Sequence, residues 1–377
     1  MKNKLNCFGI SLLLLIPICA SIANPRAETQ AKPQLPKPLA TETFDLTDDM
    51  EVGLEIQARA PGASWAREGA EAPALLVSVD GVYNQDLLLW AGDELFPYRV
   101  MLGKLSKGKH KVSVALNPAR SSAGAQLAEV KLLRALPLAA HRPAATTEDQ
   151  LALAHSPVLY ARANTIDHFT DIPLVMYYEI LRDGHQEGAA RRDLIVRYTA
   201  IFTNEDGGTQ TIALMARWGR ATDIEWVYEV RLRDGKIIEE TYQGVNHETK
   251  SFTGSRTGGQ HPLLAIASDN NNFSDLACSA VRFAPLPVRA DLQSATRESV
   301  MDKYPQTYRA MTEELQREHR ISLTPIGINI IADPRDYFYI EASSDQTGAA
   351  LGFDVKLAGQ TELFASDIGD ARLRIDR

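Results

Sequence analysis

The chain has 377 residues, 45% of them hydrophobic, with 48 acidic against 40 basic side chains and a net charge of −8. That length suggests two domains with ordinary apolar cores. The acidic balance disfavours nucleic acid or an anionic membrane surface as a partner, because phosphate recognition needs a basic footprint.

The first residues read as a secretory signal. Lys2 and Lys4 precede the apolar run "FGISLLLLIPI", Pro17 breaks it, and "SIA" at 21–23 is a small-x-small site, placing cleavage after Ala23. The run is too short to cross a bilayer, and no later stretch reaches spanning length, so no transmembrane span is expected. A lipoprotein anchor at Cys19 is disfavoured by Ile18, where a small residue should precede the cysteine. A secreted or periplasmic protein follows. Cleavage removes two lysines and no acids, leaving 38 basic against 48 acidic residues. It also removes Cys7 and Cys19, so Cys278, in "LACSAV", is expected to be a lone, buried, inert thiol.

Residues 24–40 hold four prolines and no apolar period, the composition of an extended tether. From 41 to 137 short alternating runs follow at near-regular spacing, with Asp80-Gly81 as a turn between two of them. This predicts a β-sandwich accessory domain. Residues 138–150 are small and proline-bearing and read as a linker. The remainder, 151–377, predicts a mostly β main domain, including a strand-like "QTIALMARWG" and a hairpin at Asp234-Gly235. One helical segment is expected at about 291–319, broken by Pro305, with strands returning at "ISLTPIGINII", "DYFYIEAS", "LGFDVKLAG" and "ARLRI". The fold class is therefore mostly β: two β-sandwich-like domains, the second with a helical insertion.

The segment "GRATDIEWVYEV", 219–230, carries the chemistry worth weighing. By strand alternation Ile224, Trp226, Tyr228 and Val230 share one face, and Asp223, Glu225 and Glu229 the other. Asp223 and Glu225 then stand about 7 Å apart, a spacing suited to one hard cation or to divided acid–base roles. The plain alternative is a wet strand face whose acids pair with Arg231 and Arg233. His247 and His261 are candidates for the same pocket, and Trp218 for a sugar-stacking face. Asp167, His168 and Asp171 form a second loop cluster that either holds a metal or is ordinary loop composition. "SDNNNFSD", 268–275, misses the EF-hand pattern and reads as an asparagine-rich turn, and "FTGSRTGGQ" as a mobile loop. No nucleophile elbow, zincin helix, P-loop or dinucleotide fingerprint occurs.

The order "DLIVRYTAIFTNEDGG", "GRATDIEWVYEV", "GGQHPLLAIASDNNN" resembles, over residues 155–275, two related β-sandwich groups. These are the necrosis- and ethylene-inducing-like secreted proteins and the vacuolar-sorting-associated family. Their Gly-His-Arg-His-Asp-Trp-Glu-His motif is matched here by Gly219, Asp223 and Glu225. Arg220 and Thr222 replace two histidines, Ile224 the tryptophan and Trp226 the last histidine. The first group holds a divalent cation and binds sphingolipid sugar headgroups. The resemblance implies a metal set of Asp206, Asp223 and Glu225, and the lost histidines favour an all-oxygen shell around Ca2+ or Mg2+. The stretch "VSVDGVYNQDLLLWAGDELFPYRVMLGKLSKGKHKVSV" in turn resembles the jelly-roll accessory modules of secreted bacterial proteins.

The expected function is binding of a surface glycan or glycolipid headgroup, cation-assisted, through Asp223, Glu225, Trp218, His247 and His261. The alternatives are a metal-dependent envelope hydrolase using the paired carboxylates, and a structural module without a small ligand. An enzyme needs these groups converging in a pocket, whereas a binder can spread them over a shallow face.

Overall fold

The computed structural model describes residues 35–138, 147–162, 172–182, 193–205, 209–324, 327–337 and 352–365, with a few single positions between 340 and 349. The signal at 1–23, most of the tether, Asp206, the Asp167–His168–Asp171 cluster and the strand expected at "ARLRI" lie outside the described residues.

Seven strands form the first sandwich: β1 (Ala40–Leu46), β2 (Met50–Arg59), β3 (Ala74–Val79), β4 (Val82–Leu88), β5 (Phe96–Leu105), β6 (Gly108–Leu116) and β7 (Glu129–Pro137). One sheet has the order β1-β6-β3-β4 and the other β5-β2-β7, all antiparallel. Leu54 and Ile56 of β2 share a fully buried cluster with Leu75 and Val77 of β3 and with Val112 and Val114 of β6. Asp80-Gly81 closes the β3–β4 hairpin with both residues at positive φ.

The second sandwich begins with α1 (Thr147–Ala154), inside the stretch expected to be linker, and continues with β8 (Val158–Tyr160), β9 (Pro173–Arg182) and β10 (Leu194–Phe202). After α2 (Thr211–Trp218) come β11 (Ile224–Arg233), β12 (Lys236–Gln243), β13 (Thr249–Ser251), β14 (Arg256–Thr257), β15 (His261–Ile266), β16 (Phe273–Ser274), β17 (Arg282–Phe283) and β18 (Val288–Arg289). The larger sheet has the order β13-β12-β11-β10-β9-β18, and the smaller β14-β15-β8-β17 with β16 beside β15. Tyr178, Tyr198 and Tyr228 sit directly opposite one another across β9, β10 and β11 and are fully buried. Their hydroxyls donate to Asp149 Oδ1 (2.6 Å), the Ala152 carbonyl (2.5 Å) and Glu240. A buried Tyr ladder needs such partners, and α1 supplies two of them.

The larger sheet is covered on both faces. Its inner face packs on Leu159, Leu264 and Phe273, while Tyr177, Ile201 and Ile224 on the outer face join the core of the first sandwich. Two helices complete that cover, α3 (Glu298–Asp302) and α4 (Gln306–Arg317), separated at Pro305. A last strand pair, β19 (Asp354–Lys356) and β20 (Leu363–Ala365), stands apart. Of the run at 321–331 only an isolated Ile321–Ile331 bridge forms, and a 3-10 turn at Pro334–Asp336 opens "DYFYIEAS", which lies partly outside the described residues.

Three expectations change. "QTIALMARWG" is helix α2, not a strand. A short apolar run does not distinguish the two, and Gly219 in the left-handed region stops the helix while Leu214 and Met215 pack on Met311 and Leu315 of α4. The glycine-rich loop is a hairpin pinned against the first sandwich: Gly258 lies against Gly103, and the Lys104 N–H donates to the Gly258 carbonyl at 2.9 Å. Cys278 is exposed, not buried, because residues 276–278 project from the β16–β17 connection.

The sandwiches are joined by main chain as well as side chains. Residues 284–286 run beside β5, with the Met101 N–H donating to the Ala284 carbonyl (2.7 Å) and the Leu286 N–H to the Arg99 carbonyl (3.0 Å).

Candidate functional site

A break in the alternation of β11 builds the site. The β10–β11 register shifts between Tyr198 and Thr199, where Tyr198 faces Tyr228 but Thr199 faces Trp226, leaving Val227 as the extra residue. A bulge places two successive side chains toward one face. Val227 and Tyr228 accordingly share the inner core while Ile224 joins the outer one. Glu225 and Asp223 therefore belong to the inner face, at the open end of the second sandwich. This corrects the expected grouping of Ile224 and Trp226 with Tyr228. Beyond the bulge Glu229 does face outward, paired with Arg197 (Nε to Oε2 2.8 Å).

The two acids line a cleft of about 760 Å³ with Glu205, Trp218, Arg297, His247, Asn270 and Asn272. Six segments converge on it: the residues after β10, the end of α2 with its αL Gly219, the start of β11, the turn after β12, the asparagine-rich turn after β15 and residues 296–298 at the start of α3. Asp223 is 4% exposed, and its Oδ2 accepts a bond from Asn271 Nδ2 at 3.0 Å. Burial raises its pKa well above the ordinary carboxylate value; the charges of Glu225 and Glu205 add to that, and the Asn271 bond opposes it. Glu205 is also raised by burial, against a bond from Thr209 and the charge of Arg220.

Glu225 is held differently. Gln243 Nε2 donates to its Oε2, and His247 Nδ1 lies 3.7 Å from the same oxygen. His247 is gripped at both ring nitrogens, Nδ1 by Gln243 (2.6 Å) and Nε2 by Asn270 Nδ2 (2.8 Å). Asn246 and His247 are both left-handed, with φ of 63° and 59°. Two consecutive non-glycine residues in that region carry strain, which marks functional turns when other geometry agrees. The opposite turn is tied down by the bond from Arg162 to Asp269 (2.8 Å) and by the Asn272 N–H donating to Ser268 Oγ (3.1 Å).

The cationic side balances the acids. Arg220 is buried, bonded through Nε to Glu298 Oε1 (2.9 Å), and stacks over Trp218 at 5.2 Å; Arg217 lies 5.7 Å from the same ring. Arg297 reaches the Ile224 carbonyl at 3.2 Å. Four acids, Glu205, Asp223, Glu225 and Glu298, face three arginines, Arg217, Arg220 and Arg297, so the formal charges of the cleft nearly cancel.

Of the sequence candidates, Asp223, Glu225, Trp218 and His247 come together. His261 does not join them. It is 1% exposed at the contact between the sandwiches, with Nε2 3.0 Å from Glu51 Oε2 and Nδ1 2.7 Å from the Ser156 carbonyl. Among the described residues no three His, Cys, Asp or Glu side chains are placed to hold one metal ion. Glu205, Gln243, Asn270, Asn271 and Arg297 were missed. Glu205 adjoins Asp206 in "TNEDGG", and the asparagines lie in a turn read only as a turn; nothing local marks Gln243 or Arg297.

No family model and no curated protein matches the sequence. Among solved structures, a ruminal GH26 endo-beta-1,4-mannanase aligns at 16% identity over 32% of this chain and 25% of that one, with a TM-score of 0.20. This chain thus spans about a quarter of that enzyme, and a score so low carries no argument about fold or activity.

Proposed function

We propose that this is an exported protein whose cleft binds the hydroxyl-rich part of a glycan or glycolipid headgroup. The observation that carries the reading is the turning of Asp223 and Glu225 into one concave site with His247, Asn270 and Asn272. Donors and acceptors of both kinds converge there with little net charge, which suits neutral sugar hydroxyls. Glu225 accepts from hydroxyls, the asparagines and Arg297 donate, and the Trp218 edge offers apolar contact. In the cation-assisted form Ca2+ or Mg2+ is held by Asp223 and Glu225 with Asp206 as the further ligand.

The raised pKa of Asp223 favours one second reading, a hydrolase. Asp223 holds its proton as general acid, and Glu225 acts as base toward a water beside His247.

Glycan-array screening followed by calorimetry tests the reading. Glu225→Gln is expected to weaken binding at least about tenfold, the loss of one charged hydrogen bond, with an unchanged melting temperature. Undiminished binding by that variant, or no glycan retained by the wild type, refutes it. Release of new reducing ends identifies the hydrolase, and a calcium titration unaffected by Asp223→Asn removes the cation.

A further inference from the structure

A second cavity of about 380 Å³ lies between the two sandwiches. Its walls are apolar: Trp90, Leu95 and Pro97 from the first sandwich, and Leu174, Phe283 and Tyr304 from the second. Glu94, Arg99 and Lys303 enter its lining at exposed positions, and Asp86, buried and paired with Arg120, is the charged group further in. Leu95 is 48% exposed there, a large aliphatic side chain left at the mouth of an apolar hollow.

The position of this groove relative to the polar cleft gives it meaning. Thr296, Arg297 and Glu298 line the cleft, and Lys303, Tyr304 and Pro305 line the groove. Along the chain only residues 299–302 of α3 lie between them, so Glu298 and Lys303 are a rise of roughly 8 Å apart. Val300 and Met301 are buried beneath α3, which fixes this partition to the core. A hydroxyl-binding cleft and an apolar groove thus open at opposite ends of one short, anchored helix.

We propose that the groove is a binding site for a hydrocarbon chain joined to the cleft's ligand, so that the protein takes an amphiphile whole: head in the cleft, chain in the groove. A cavity of 150 Å³ accommodates the six carbons of benzene; by proportion this one, of about 380 Å³, has room for about fifteen. Burying a neutral chain asks for apolar walls, which Trp90, Leu95, Pro97, Leu174, Phe283 and Tyr304 supply, while the exposed charges of Glu94, Arg99 and Lys303 at the mouth keep the head outside. The first-sandwich wall lies outside residues 155–275, so the family resemblance implies nothing about it. The assignment of the head rests on the glycan reading above; the assignment of the chain rests on the groove.

The test is calorimetry of the whole protein with methyl, hexyl, octyl and decyl glucosides below their micelle concentrations. Affinity is expected to rise about fourfold per added methylene until the groove is full. Leu95→Asp and Pro97→Glu, both at exposed positions, should flatten that rise and leave methyl glucoside unaffected. Equal affinity for methyl and decyl glucoside overturns the groove while sparing the cleft, and so does a rise that persists in both variants. No measurable methyl glucoside binding beside a steep, variant-sensitive rise leaves the groove standing and counts against the sugar head.

Discussion

Replacing Asp223 by asparagine is expected to stabilise the protein at neutral pH. The carboxyl is 4% exposed, burial and the charges of Glu225 and Glu205 raise its pKa, and one donor, Asn271, is bonded to it. Its folded value therefore exceeds its unfolded value of about 4. Between the two, the folded state binds a proton that the unfolded chain has lost. The favourable contribution is fully present below about pH 4 and falls at up to ~1.4 kcal/mol per pH unit, until the folded group ionises as well. Asparagine copies the neutral acid, keeps an oxygen for Asn271 and removes the titration. Urea denaturation of both proteins from pH 4 to 9 should show a gap in favour of the variant that is smallest at pH 4 and widens upward. A gap of constant size, or one that closes as pH rises, would refute the account of a buried, protonated acid.

His261→Ala is expected to cost about 1–3 kcal/mol by removing the partner of Glu51 and of the Ser156 carbonyl at the contact between sandwiches, with glycan affinity unchanged; thermal melting beside calorimetry checks both halves. Gly103→Val should be more damaging. The position has φ of 90°, and a Cβ there would sit 3.2 Å from Gly258 Cα, so strain adds to a backbone clash. A melting temperature within a degree of the wild type would show that the two hairpins are not pressed together.

How much of this the sequence shows depends on how local each signal is. The strands of the first sandwich and the break at Pro305 follow from alternation, turn residues and a missing N–H, all of which act within a few residues. The direction of Asp223 and Glu225 does not. Alternation taken alone sets them opposite Tyr228, and the single extra residue at Val227 reverses that by moving the phase of the strand, a change fixed by its pairing with β10. Helix α2 is misread because eight residues with an apolar majority suit either state until α4 offers Met311 and Leu315 as a surface. His247 reaches the cleft and His261 does not for one reason: a histidine's surroundings are set by what the fold brings to its nitrogens, asparagine and glutamine in one case, Glu51 in the other.

The strip of main chain at 284–286 has a consequence for how the molecule can be divided. It lies along β5, an outer strand of a three-stranded sheet, and occupies the carbonyl of Arg99 and the N–H of Met101. Cutting the chain near residue 140 would strip that strand bare. The excised first sandwich would then present a ready template for self-association, the usual fate of an unguarded sheet margin, so its edge is guarded by a piece of polypeptide made some 150 residues after it.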